Sequence, residues 1–186
     1  MDIDHLLVGG RVIAGPDQRG PFVGTVGVAR ERILWVQEGV IDVPSRHNID
    51  CAGLIVAPGS THIPTQSYAA LLKDAGAQSQ ITQGVTTEIA GNCGHSCAPC
   101  ADPVLLRSHV LAIQESTEIT WRSFAEYLQT LEATRPVLNV ASYVGNDNVW
   151  QGVMGTSFDR PKPEQFARMK ELLDEAMRDG AFGLST

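Results

Sequence analysis

The sequence predicts an α/β protein: a small all-β segment over residues 1–57, then about four βα units over residues 58–186, corresponding to the first part of a parallel (β/α)8 TIM-type barrel. Two observations lead to this class. Up to about residue 67 the chain carries short β-branched runs broken by glycines and shows no helical periodicity. Beyond that point strand-like runs alternate with amphipathic helical ones, the order that builds parallel sheets through helical crossovers.

The early runs are Leu6–Val8, Arg11–Ile13, Thr25–Ala29, Ile33–Val36 and Leu54–Ala57, with Gly9-Gly10 and Gly15-Pro16-Asp17 suited to hairpin connections. In the second part, Val85–Ile89 and Val137–Ala141 are short and β-rich. Phe124, Tyr127, Leu128 and Leu131 follow the helical spacing, and Ser123 with Glu126 has the spacing of a capping box. The clearest helix spans Pro163 to Arg178, with Phe166, Met169, Leu172, Leu173, Ala176 and Met177 on one stripe and Gly180 as its stop. A closed barrel needs eight βα units and about 250 residues, so the count here reaches about halfway. Residues 181–186 read as a strand just begun. The expectation is either a fragment or a chain whose open parallel edge is covered by a second copy or a partner chain.

Charge and composition exclude several function classes. The 14 Lys and Arg against 21 Asp and Glu give a net charge of −7, which offers nothing to phosphate backbones or anionic membranes. Nucleic acid and membrane are therefore not expected as partners. The start Met1-Asp2-Ile3-Asp4-His5 lacks the features of a signal peptide, and no run approaches the roughly 20 apolar residues of a membrane span, so a cytoplasmic location is expected. Four cysteines are no disulfide framework, and three of them crowd together as Cys93, Cys97 and Cys100.

In a parallel barrel, chemistry sits on the loops after the strands: here 58–67, 91–100 and 145–150. The loop Gly91-Asn92-Cys93-Gly94-His95-Ser96-Cys97-Ala98-Pro99-Cys100 is the densest in metal-binding side chains. Cys93, His95, Cys97 and Cys100 could form a small zinc module, although one intervening residue between Cys93 and His95 is tight for two ligands of a tetrahedral ion. The competing reading makes Cys97 and Cys100 small buried residues beside a turn. A zinc deaminase is disfavoured because no His-x-Glu occurs.

Gly84-Val85-Thr86-Thr87, followed by Gly91-Asn92-Cys93-Gly94 and Ala98-Pro99-Cys100, resembles the central signature of the N-acyl-D-amino-acid deacylase (D-aminoacylase) family of the amidohydrolase superfamily. Val8-Gly9-Gly10, Val56-Ala57-Pro58-Gly59, Trp121–Leu128, Asn139–Ala141, Val153-Met154-Gly155 and the stretch 180–186 are similar to that family in order and spacing. The resemblance implies a β-sandwich formed partly by the N-terminus, a (β/α)8 barrel with zinc at its mouth, and hydrolysis of the amide bond of a small-molecule N-acyl-D-amino acid. In such a reaction the metal activates water and polarises the acyl carbonyl while a carboxylate moves the proton. The match assigns Cys93 as a metal ligand.

The departures bear on competence. The family follows its Pro-Gly with Phe-Ile-Asp-x-His-x-His, whose two imidazoles bind metal; here the ungapped count places Pro64 and Gln66 at the two histidines and His62 at the aspartate. Proline has no donor for zinc. Asn146 stands where relatives commonly have histidine, and the family's remaining histidines and catalytic aspartate would fall beyond Thr186. Three readings follow: a deacylase piece, inactive alone; a non-catalytic relative completed by an oligomer or partner; and the small Cys/His zinc module. Trp35, Trp121 and Trp150 read as core or interface aromatics, Glu88 as a barrel-wall or site-supporting carboxylate, and His5, His47 and His109 as surface or packing residues.

Overall fold

A computed structural model describes residues 2–15, 20–65, 69–109 and 118–186. The chain divides into two compact units, Met1–Pro58 and Gly59–Thr186.

The first unit is one five-stranded sheet of β1 (Ile3–Val12), β2 (Phe22–Ala29), β3 (Arg32–Glu38), β4 (Ser45–Asp50) and β5 (Ile55–Val56). Its order is β3-β2-β1-β4, with β5 also on β1; β2 pairs antiparallel with β1 and β3, whereas β4 and β5 run parallel to β1. Gly9-Gly10 is not a hairpin connection. It lies inside β1, where Gly9 at φ 74° is the extra residue of a bulge between Val8 and Gly10. Gly10 must lack a side chain for a separate reason: a Cβ there would stand 2.6 Å from Val56 Cγ2 and 2.9 Å from Cys51 Cβ. The Gly15-Pro16-Asp17 turn lies partly outside the described residues. Strand β4, Ser-Arg-His-Asn-Ile-Asp, has no alternating apolar pattern because it sits at the end of the sheet order, mostly exposed.

The second unit is mixed α/β. Strands β6 (Ser60–Thr65), β7 (Val85–Ala90) and β8 (Asn139–Ser142) form a parallel sheet in that order, and β9 (Val144–Gly145) pairs in parallel with β10 (Leu184–Ser185). The two sheets meet at Tyr143: its N–H donates to the Ala90 carbonyl at 2.9 Å, and the Phe182 N–H donates to the Ser142 carbonyl at 2.9 Å. A short α1 (Gln78–Ile81) links β6 to β7, α2 (Pro103–His109) and α3 (Phe124–Ala133) lie between β7 and β8, and α4 (Asn146–Met154) and α5 (Pro163–Arg178) lie between β9 and β10. Every strand pair among the described residues of this unit is parallel, as the alternation of runs implied.

The capping box at α3 is present: the Glu126 N–H donates to Ser123 Oγ at 3.1 Å and the Ser123 N–H to Glu126 Oε2 at 3.1 Å. The Arg122 and Ser123 N–H groups, both donating to Glu126 Oε2, hold the Glu126 carboxyl below its ordinary value. Helix α5 begins with Pro163 in its first turn, and its stripe is buried at Met169 and Ala176. Phe166 and Met177 from the same stripe remain 54% and 45% exposed, with the Lys170 ammonium 4.9 Å from the Phe166 ring centroid. The core centres on Trp121, Phe124 and Tyr127, each at most 1% exposed, with Leu71, Cys97, Leu131 and Val144 around them. Trp121 is therefore a core aromatic, and its indole N–H donates to the Cys97 carbonyl at 2.7 Å. No helix among the described residues is long and apolar enough to cross a membrane.

Candidate metal centre

The loop 91–100 leaves the C-terminal end of β7 and is held by residues from two other strand ends. Gly91, at φ 78°, turns the chain where a Cβ would collide with the Tyr143 carbonyl oxygen. Asn92 ties the turn to the strand through Nδ2 donating to the Ile89 carbonyl at 3.1 Å. Cys93 follows at φ 56°, a left-handed conformation rare for a side chain with a Cβ, and Gly94 continues at 77°. Two successive left-handed residues present the Cys93 thiol on the exposed side of the loop.

Ser185 at the end of β10 clamps this turn. Its hydroxyl donates to the Gly91 carbonyl at 2.6 Å and accepts from the Gly94 N–H at 3.2 Å, on either side of Cys93. From the α4 end, the Asp147 N–H donates to the Gly94 carbonyl at 2.9 Å. Gly145 must be glycine because a Cβ would strike that same carbonyl. Deeper in the loop, buried Ser96 and Asn148 close a second set of bonds. The Ser96 N–H donates to Asn148 Oδ1 at 2.9 Å, Asn148 Nδ2 donates to the carbonyls of Ser96 and Pro99, and the Gly145 N–H donates to Ser96 Oγ at 2.9 Å. These contacts were not read from the sequence, since each partner lies about fifty or ninety residues away and no local period marks it.

The four cysteines differ in kind. Cys93 is exposed, whereas Cys51, Cys97 and Cys100 are buried. Burial pushes the Cys97 thiol far up, only partly opposed by the Tyr127 hydroxyl, and also raises Cys100. Both are buried core residues, and among the described residues the structure does not bring Cys93, His95, Cys97 and Cys100 together as a four-ligand module. His95 turns instead to Asp147, with Nδ1 3.4 Å from Oδ2, both side chains partly in solvent. His62 on β6 is exposed and lines a polar hollow with Ser79, Gln80 and Gln83. Gln66 lies outside the described residues. Asn146 is exposed in the first turn of α4, and Glu88 is buried within β7. Among the described residues, no three His, Cys, Asp or Glu side chains converge on a point that could hold a metal ion. A catalytic zinc takes three protein ligands plus water, and among the described residues the Cys93 thiol does not converge with two other donors, which does not fit a complete site.

No family model matches the chain. A solved D-aminoacylase, described as defining a novel subset of amidohydrolases, superposes with a TM-score of 0.86 at 34% identity, covering 99% of this chain and 38% of that one. The described fold is thus similar to that of the corresponding 38% of this enzyme. The D-aminoacylase of Alcaligenes xylosoxydans xylosoxydans is 35% identical over 186 residues, which is 98% of this chain and 37% of that enzyme. The N-acyl-D-glutamate deacylase of Bordetella bronchiseptica, solved with zinc and a phosphonate mimic of the tetrahedral intermediate, superposes with a TM-score of 0.86 at 29% identity over 100% of this chain and 38% of its own. The chain is a homologue of the N-acyl-D-amino-acid deacylases, and it spans about 37% of the length of the curated relatives it matches.

Proposed function

We propose that residues 58–186 are the first βα units of a deacylase (β/α)8 barrel, that residues 1–57 are its β-sandwich segment, and that Cys93 occupies the position of the family's cysteine metal ligand. A zinc ion held there would supply an activated water and polarise an acyl carbonyl, the chemistry that hydrolysis of an N-acyl-D-amino acid needs. The described residues do not bring together the other ligands, and on this reading the chain alone does not catalyse the reaction. Activity would need metal ligands from additional polypeptide, whether a second copy or a partner over the parallel edge.

The observation that carries this reading is the Cys93 loop: an exposed thiol in a left-handed turn, clamped from β10 and α4. Such a turn fixes the direction of one side chain, which a ligand needs and a packing residue does not. The test is hydrolysis of N-acetyl-D-amino acids together with zinc content, for the wild-type chain and Cys93→Ala. The expected result is no hydrolysis and no Cys93-dependent zinc. Turnover that disappears with Cys93→Ala would overturn the claim of inactivity.

A further inference from the structure

We propose that His5 and His47 form a bis-imidazole site for a first-row divalent transition cation such as Zn2+ or Cu2+, in the first unit and separate from Cys93. The sequence offers these histidines only as surface or packing residues, forty-two positions apart. Parallel pairing of β1 with β4 sets them directly opposite each other on one face of the sheet. Both are exposed, and their rings stack with centroids 5.1 Å apart and planes inclined by 21°.

That spacing already suits a shared ion. A metal–nitrogen distance of about 2.0–2.1 Å puts the ion about 3.2 Å from each ring centroid, so two imidazoles on one tetrahedral ion have centroids about 5.2 Å apart. Reaching that arrangement takes rotation of the rings about χ2, which is a soft torsion, with no movement of the strands. Asp4, which acts electrostatically on His5, is engaged elsewhere. Asp4 and Arg46 alternate to the opposite face and pair with each other at 3.3 Å, and Asp4 also accepts from the Arg30 N–H. Among the described residues the face offers two nitrogen donors with Asp4 turned away, a set that selects Zn2+ or Cu2+ over Mg2+ and Ca2+. Solvent completes the coordination.

The test is calorimetric titration of the chain with Zn2+, alongside ring-proton NMR. One equivalent is expected to bind in the wild type and equally in Cys93→Ala. His5→Gln and His47→Gln should each weaken binding at least about tenfold, the loss of one of two chelating ligands. The His5 and His47 ring signals should shift together on titration while His62 and His95 stay put, a readout that needs no variant. Binding unchanged in His47→Gln, or ring shifts confined to other histidines, would overturn the proposal. Zinc lost with Cys93→Ala would also do so, and would report on the loop instead.

Discussion

Ser185→Ala isolates what holds the Cys93 turn. The substitution deletes one hydroxyl that donates to the Gly91 carbonyl and accepts from the Gly94 N–H, and it leaves backbone conformation and apolar packing otherwise intact. A net hydrogen bond contributes about 0.5–1.5 kcal/mol, so two bonds amount to about 1–3 kcal/mol. The site is only partly buried, and water replaces some of the loss, which brings the expectation to about 1–2 kcal/mol. That corresponds to a roughly 5- to 30-fold increase in opening of the turn. Native-state hydrogen exchange at the Gly94 amide reads this opening directly, and Ser185→Thr, which retains the hydroxyl, serves as the control. Exchange at Gly94 that is the same in Ser185→Ala and wild type would show that the clamp has no energetic role, and with it the argument that the loop is held to aim Cys93.

The same reasoning reaches other residues. Trp121→Ala removes a side chain 1% exposed and leaves the Cys97 carbonyl without its donor, so denaturant unfolding should show a loss of about 3–5 kcal/mol. Gly145→Ala places a methyl against the Gly94 carbonyl with no flexible atom to yield, and should cost about 1–3 kcal/mol in the same assay. A thiol reagent should label Cys93 rapidly in the native chain and the three buried cysteines only after denaturation; fast native labelling of Cys97 would contradict its burial. Because the Cys97 thiol is raised in the folded state, the native protein keeps a proton that the unfolded chain gives up near the ordinary value of 9.0. Stability should therefore be unaffected by this group below pH 9 and fall above it by up to about 1.4 kcal/mol per pH unit. Cys97→Ala should flatten that part of the pH profile.

Much of the fold was legible because it rests on local signals. The α3 capping box, the Pro163 start and Gly180 stop of α5, and the switch from β-branched runs to alternating strands and helices are encoded within a few residues of where they act. What failed was set by partners elsewhere. Gly9-Gly10 looks like a turn, yet it is a bulge because β2, β4 and β5 all pair with β1 and keep it extended. Strand β4 was invisible because its residues, largely exposed at the end of the sheet order, need no apolar period. At the candidate site the thiol was legible from Asn-Cys-Gly, whereas its scaffold of Ser185, Asn148 and Ser96 was not. Those residues act through hydrogen bonds across strand ends, which no spacing along the chain records.

The loop scaffold and the missing imidazoles are separable, and β6 is where they part. Thr61 and His62 pair with Thr87 and Glu88, but Thr65 pairs with Ala90, so three residues of β6 are set against two of β7 and the register slips between His62 and Thr65. Pro64 lies inside that slip. It has no N–H to give the ladder, which supplies a reason for the bulge. Pro64→Ala restores the donor alone, whereas Pro64→His with Gln66→His restores the donor and puts histidine at both positions of the His-x-His motif. Together with Cys93 these would make three protein ligands, the number a catalytic zinc requires. The double variant is expected to take up zinc in a Cys93-dependent manner and Pro64→Ala is not, each read by elemental analysis in the His47→Gln background to remove the site on the sheet. Equal uptake with and without Cys93 would mean that the loop, however firmly clamped, is not aimed at the end of β6.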